Sequence, residues 1–265
     1  MDFHIRRYAA VGSTMDLARS LIASGEDSGL IVLADRQTAG RGRIEGRSWR
    51  NGTGTSLLMT LCLKGDFLSV KAPPLRIGLA VYDVLSKLAL SCLRVKWPND
   101  IVGLGGAGDM EKPGFRKLCG LLCETTGGWF LAGIGVNLRR GSYPDTLKDK
   151  ATSLDEIASA MAGPNPSEIP DTDALALAIS EAAAIRLEDE GWRKEYEKAM
   201  WGMGEEIDFI VGHPERGDLK RGKIVGIDGM GRLLLAAERG DIEAFWSGEI
   251  SSLRKAEPEK GIEAL

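Results

Sequence analysis

Lys117 to Asn137 read KLCGLLCETTGGWFLAGIGVN. Two apolar runs, Leu118–Thr125 and Trp129–Val136, flank the pair Gly127–Gly128. Runs joined by a two-residue glycine turn predict a hairpin, because glycine adopts at no steric cost the positive φ such turns need. Lys117 opens the first run and faces either a site or water. Cys119 and Cys123 lie four apart with no further Cys or His at ligand spacing. They read as buried apolar thiols rather than a zinc site. Gly133–Asn137 (GIGVN) ends the second run, where glycine admits either a ligand's close approach or tight packing of strand on helix.

Upstream, Gly103, Gly105 and Gly108 match G-x-G-x-x-G. The dinucleotide fingerprint must open a helix; here Asp-Met-Glu-Lys-Pro-Gly follows, so 103–113 reads as a polar connection. Leu93–Trp97 is a strand halted by Pro98. In Val95–Asp100 (VKWPND), Lys96 suits an anion and Asp100 a metal or an amine. Strand ends bind ligands in parallel or mixed sheets; the alternative is a turn using Asn99 and Asp100 as turn formers. Leu75–Leu90 is an amphipathic helix with Ile77, Ala80, Val84, Leu85 and Leu88 on its stripe. Thr55–Leu63 and Leu30–Ala34 read as strands. Between them, Asp35–Asn51 (DRQTAGRGRIEGRSWRN) is a loop holding five arginines and one glutamate from Arg36 to Arg50. Arginine forks and glycine amides suit phosphate and carboxylate oxygens; the alternative is a solvated loop paired with surface acids. Ser13-x-x-Asp16 is a capping-box-like helix start, and Gly25 stops that helix.

Downstream, Ser153-x-x-Glu156 caps another helix, Pro164–Pro170 breaks the chain, and Thr172–Met200 is helical with an interruption at Gly191. After Gly204 come five short strand-like segments spaced by Gly and Asp, which suggest a small β-barrel. The expected division is 1–203, 204–254 and a charged tail, 255–265.

The 265 residues carry 34 Lys plus Arg against 38 Asp plus Glu, a net charge of −4, which gives no global grip on nucleic acid. No apolar run approaches the roughly 20 residues of a membrane helix. MDFHIRRYAA lacks a signal core. Four cysteines without an export signal read as reduced thiols, so a cytoplasmic location is expected. Glycine, at 34 residues, is in excess, which points to many tight loops. The two histidines, His4 and His213, are remote from these motifs. A Ser–His or Cys–His nucleophile is therefore not expected.

Taken in order, these segments resemble the biotin protein ligases. The resemblance rests on GSTMDLA (Gly12–Ala18), QTAGRGR (Gln37–Arg43) with its trailing Arg-x-Trp, KWPND, KLCGLLCE, GIGVN and the closing GKIVGIDGMGRLLL…SGEISSLR. It covers about residues 4–254. Three departures stand out. The arginine loop is one residue longer (GRGR, then Ile44 to Trp49), Met15 stands where the family has Asn, and the 103–116 connection is extended.

The resemblance implies an α/β (α+β) fold: a mixed-sheet catalytic domain packed with helices, plus a C-terminal SH3-like barrel. It implies that biotin and MgATP form biotinyl-5′-AMP and pyrophosphate, and that a lysine of a biotin carboxyl carrier protein then takes the biotin. Arg43, Lys96, Asp100 and Lys117 are the implied catalytic residues. Ser13, Thr14, Gln37, Gly40, Arg41, Gly42, Lys117 and Gly120 would line the biotin pocket. Arg41, Arg43, Arg47, Trp49, Lys96, Asn99, Lys117 and Asn137 would hold the adenylate, with Mg²⁺ on the ATP phosphates near Asp100. A homodimer through a sheet edge is also implied. Repressor members carry an N-terminal DNA-binding domain; with the first motif at Gly12, none is expected here, nor any nucleic-acid or membrane partner. Two other readings are a lipoate or octanoate ligase-like enzyme and an inactive biotin-binding regulatory module.

Overall fold

A computed structural model describes residues 1–43, 49, 54–65, 67, 69–89, 92–104, 114–162, 169–213, 215–237 and 239–253. Twelve strands and five α-helices are found among them. Strands β1 (His4–Tyr8), β2 (Leu30–Ala34), β3 (Ser56–Lys64), β4 (Leu93–Lys96), β5 (Asp100–Leu104), β6 (Phe115–Thr126) and β7 (Trp129–Asn137) form one sheet in the order β1-β2-β3-β7-β6-β5-β4. Only β1 and β2 pair in parallel; every other neighbouring pair is antiparallel.

The sheet is buried on both faces, which is why β2 reads LIVLA without alternation. Ile31 and Leu33 join the large core under α2 (Pro73–Ala89), α4 (Thr172–Glu188) and α5 (Trp192–Ala199). Leu30 and Val32 face the other way, into a smaller cluster under α1 (Thr14–Ala23). The period-two alternation of a strand assigns each residue to its layer.

The hairpin of β6 and β7 forms as expected: Gly127 (φ 54°) and Gly128 (φ 78°) make the turn, and Thr126 pairs with Trp129. The expected connection starts later than predicted, because Gly103 belongs to β5 and pairs with Leu93. Gly105 and Gly108 lie outside the described residues. Strand β1, HIRRY, carries too few apolar residues to announce itself, yet it pairs with β2 over its whole length. Helix α3 (Leu154–Ala162) starts with half of the predicted box: the Ser153 amide donates to Glu156 Oε2 at 2.9 Å, while the Ser153 hydroxyl lies within hydrogen-bond reach of the Asp155 and Glu156 carboxylates.

Strands β8 (Glu206–Val211), β9 (Leu219–Ile227), β10 (Leu233–Ala236), β11 (Ile242–Phe245) and β12 (Gly248–Leu253) form a second, antiparallel sheet, ordered β11-β10-β9-β8-β12. Its inner residues, among them Ile207, Phe209, Ile224 and Ile250, belong to the same apolar core as the larger sheet. Polar contacts fix the orientation. Trp97 Nε1 donates to Gly231 O at 2.9 Å, the Ile227 amide to Glu197 Oε1 at 3.1 Å, and the Trp201 amide to Val95 O at 2.8 Å. Gly248 and Glu249 at the start of β12 border the same cleft as Lys96 at the end of β4. Among the described residues no helix is long and apolar enough to cross a membrane.

Candidate active site

Ser13 is the N-cap of α1, but its hydroxyl makes no capping bond. Asp16 binds Arg19 instead and accepts from Arg41 Nη2 at 2.7 Å. The Ser-x-x-Asp box expected from the sequence therefore does not form: two guanidiniums outcompete the cap for that carboxylate. Ser13 and Thr14, both buried, line an open cleft of about 520 Å³ together with Gln37, Arg41, Gly42, Lys117 and Gly120. Met15, Met59, Leu121, Leu122 and Ile134 supply its apolar walls. A mostly apolar body with a few convergent polar groups is the usual make-up of a small-molecule site. Thr14 donates to Gln37 Oε1 from its amide (2.7 Å) and its hydroxyl (3.1 Å).

A second cleft, of about 930 Å³, shares Gly42, Arg43, Trp49, Asn99 and Lys117 with the first. It adds Lys96, Asp100, Asn137 and Tyr143, and Gly248, Glu249 and Ile250 from β12. Lys117 Nζ lies 2.7 Å from Asp100 Oδ1 and 5.6 Å from the Trp49 ring centroid. Lys117 thus borders both clefts, with its side chain partly open to solvent. Its backbone is clamped on both sides, the amide to Lys150 O (2.8 Å) and the carbonyl to the Thr152 amide (3.0 Å). Lys96 Nζ sits 5.2 Å over the Trp201 ring, and Arg43 Nη2 donates to Gly248 O at 3.1 Å.

The paired glycines of β6 and β7 form a seat for the Trp49 indole. A Cβ at Gly135 would stand 2.7 Å from Trp49 Cε2, and one at Gly120 2.9 Å from Trp49 Cζ3. Gly133 serves the other purpose foreseen for this stretch, close packing on a helix: a Cβ there would lie 2.8 Å from Met15 Sδ.

Most of the residues singled out from the sequence come together. Gly40 stands apart: it is buried behind the loop, where its carbonyl accepts from the Trp49 amide at 3.0 Å, and it does not line either cleft. Asn137 lines the second cleft, and its side-chain amide ties β7 to Thr152 O at 3.0 Å. Arg47 lies outside the described residues. Thr60 and Tyr143 lie in no motif singled out from the sequence, and Glu249 lies in the closing SGEISSLR stretch, for which no site residue is named. Burial pushes the Cys119 thiol up and holds Cys62 at about 12, so these thiols are inert. His4 is bound to Glu26 on the far edge, and His213 lies between β8 and β9; neither borders the clefts. Among the described residues no three His, Cys, Asp or Glu side chains converge on a metal position.

Comparison with known proteins bears on this arrangement. Residues 9–139 match the Biotin/lipoate A/B protein ligase family, and residues 204–252 the Biotin protein ligase C terminal domain. The bifunctional ligase/repressor BirA of Bacillus subtilis is 33% identical over 167 residues, covering 60% of this chain and 48% of that protein. The BirA of Escherichia coli is 32% identical over 248 residues, covering 87% of this chain and 68% of that one. The solved biotin protein ligase of Aquifex aeolicus in complex with biotin and ATP superposes with a TM-score of 0.74 at 27% identity. That superposition covers 96% of this chain and 99% of the other. The match spans about half the length of the Bacillus subtilis relative.

Proposed function

The chain belongs to the biotin protein ligase family, and on that premise we propose that it activates biotin with MgATP and passes the biotinyl group to a carrier lysine. The observation that carries this reading is the junction of the two clefts. Arg43, Trp49, Asn99 and Lys117 border both the apolar-bodied cleft and the one walled by Lys96, Asp100 and Glu249. An acid lying in the first cleft meets a nucleotide lying in the second at the Lys117 ammonium.

In the first step a biotin carboxylate oxygen bonds to the α-phosphorus of ATP. The bond from that phosphorus to the bridging oxygen breaks, and pyrophosphate leaves with the electron pair. A carboxyl group with a pKa of about 4 is already an anion at pH 7, so no side chain has to remove a proton. The protein's task is positioning and neutralisation of charge. Lys117, Arg43 and Arg41 supply the charge, Lys96 faces the phosphates, and Ser13, Thr14 and Gln37 hold the ureido ring. Trp49 covers the adenine, and the loop that carries Arg41 and Arg43 keeps water from the mixed anhydride. Asp100 and Glu249 present hard oxygen donors to the second cleft, which suits a Mg²⁺ carried on the ATP phosphates.

In the second step the carrier amine attacks the acyl carbon, AMP leaves with the electron pair of the broken C–O bond, and the amine sheds its proton. Asp100 orients that amine, and the proton leaves to water. The carrier is the biotin carboxyl carrier domain of a carboxylase, and the location is the cytoplasm, where the four thiols stay reduced.

Pyrophosphate release with MgATP and biotin, lipoate or octanoate, with no carrier added, tests the reading. Release with biotin alone supports it. Release with lipoate or octanoate transfers the assignment to the lipoate branch. Biotin binding without release leaves a regulatory module.

A further inference from the structure

Thr60 is the one hydroxyl in the middle of β3 (SLLMTLCLK), and it is fully buried. On its face of the sheet lie Cys62, Leu30, Val32 and Met15, an apolar layer under α1. A hydroxyl in such a layer is unfavourable unless it is hydrogen-bonded, and valine would fill the same space with equal strand preference. The bond it makes is specific: Thr60 Oγ1 donates to Thr14 Oγ1 at 2.9 Å.

The direction of that bond follows from its neighbours. Gln37 Oε1 takes the Thr14 amide proton at 2.7 Å, which fixes it as the oxygen of the carboxamide. Being an acceptor only, it must also receive the Thr14 hydroxyl proton at 3.1 Å. Thr14 has then given its one proton away, and one of its two lone pairs holds the Thr60 proton. What remains toward the first cleft is a single acceptor lone pair, which fits a ligand N–H. The same chain sets the carboxamide of Gln37, whose nitrogen lies against Gly40 at the root of the arginine loop.

We propose that Thr60 is a positioning residue for the ureido ring: through Thr14 and Gln37 it holds the biotin end of the cleft in its binding geometry without touching the ligand. This rests on the ligase reading and adds to it a residue of the second layer. Chains of hydrogen bonds polarise and align one another, so losing the first donor weakens the last acceptor.

The test compares Thr60→Val with Thr60→Ser. Biotin affinity is measured by calorimetry, and the KM values for biotin and for ATP by pyrophosphate release. Thr60→Val should raise the biotin Kd and KM about tenfold, the scale of one hydrogen bond. The KM for ATP and the melting temperature should stay at their wild-type values, and Thr60→Ser should restore biotin binding. Unchanged biotin affinity in Thr60→Val overturns the proposal. So does a serine variant no better than valine, or a loss shared equally with ATP and with thermal stability. Should Thr60→Val not fold, Thr60→Cys, of similar size and with only a weak S–H donor, takes its place with the same expected loss. A wild-type protein that binds biotin and releases no pyrophosphate defeats the ligase reading alone, and calorimetry still decides on Thr60.

Discussion

Lys117 and Asp100 stand on adjacent strands with Nζ and Oδ1 2.7 Å apart, at the point where the two clefts meet. The pair gives each partner a distinct task. On the proposed reading the ammonium neutralises the reacting phosphate, and the carboxylate orients an incoming amine. Lys117→Ala should lower the adenylation rate by about 10²–10³-fold, the range for loss of one preorganised electrostatic contact. Asp100→Asn keeps the shape and one oxygen donor, so it should lower transfer to the carrier by about 10²-fold and adenylation by much less. Pyrophosphate release and carrier biotinylation, measured separately, distinguish the two. Normal transfer with lost adenylation in the asparagine variant contradicts the assignment.

Arg43 ties the arginine loop to the second sheet through Gly248 O. Arg43→Gly removes that tie together with the proposed phosphate contact. The adenylate should then escape, and its mixed anhydride will acylate any nearby amine. The expected readout is biotin on lysines of bystander proteins mixed with the variant, found by mass spectrometry. Labelling confined to the carrier would sink the idea that this loop acts as a lid.

Asp228 organises the turn between β9 and β10, accepting from the amides of Met230 (2.9 Å) and Arg232 (2.9 Å) and from Arg232 Nε (2.6 Å). Burial alone raises its pKa, but those hydrogen bonds and the guanidinium outweigh it and hold the carboxyl below its ordinary value. A depressed carboxyl contributes stability that is present above the unfolded-state pKa, about 3.9, and is lost as pH falls through the lower native value. Asp228→Ala should therefore destabilise the protein by about 1–2 kcal/mol at pH 7. The gap between variant and wild type should narrow below pH about 4. Urea melts at the two pH values check this; a gap that does not change with pH contradicts it.

Arg76 is buried in α2, and among the described residues no carboxylate forms an ion pair with it, although the charges of Glu190 and Asp189 reach it. It donates to the carbonyls of Lys71, Arg186, Leu187 and Asp189, and its guanidinium sits 5.2 Å over the Trp192 ring. Three of those carbonyls close the C-terminal end of α4, where helices leave acceptors without partners. Arg76→Met keeps the stem and strands the acceptors. Unfolding free energy should fall by about 3 kcal/mol, with KM values for both substrates unchanged, since Arg76 borders neither cleft. Urea denaturation alongside steady-state kinetics gives both numbers.

The sequence and the structure agree where one physical signal dominates. The apolar runs of β2, β3, β6 and β7, and the Gly127–Gly128 turn, are legible because burial on both faces demands unbroken apolar strands. Strands β1 and β5 are hard to read locally, because HIRRY is mostly polar and DIVGL is a five-residue segment between a proline turn and a glycine-rich stretch. The motif residues of the site were legible as types of chemistry. Their partners were not: Thr60, Gly248 and Trp201 meet Thr14, Arg43 and Lys96 across 46, 205 and 105 residues of chain, and no local pattern encodes such contacts. The Asp16 carboxylate does not complete a cap for the same reason, since its partner Arg41 comes from a distant loop.

Gly135 tests whether the indole seat matters to function. Its Cβ would fall 2.7 Å from Trp49 Cε2, a separation no packed side chain tolerates, so Gly135→Ala must displace the indole. Trp49 lies at the boundary of both clefts, on the side shared with Lys117. If it covers the adenine, the KM for ATP should rise about tenfold, in line with the roughly 1–3 kcal/mol of one base–aromatic stack. Thermal stability should hold, because Trp49 sits on a loop. Gly133→Ala is the contrast: its Cβ meets Met15 Sδ, so it should lower the melting temperature by loosening α1 and leave the KM for ATP alone. A double-mutant cycle settles the route. Gly135→Ala combined with Trp49→Ala should be no worse than Trp49→Ala alone, because both remove the same stack. Additive losses in the double variant would mean that Gly135 admits the nucleotide directly and that the indole seat is incidental.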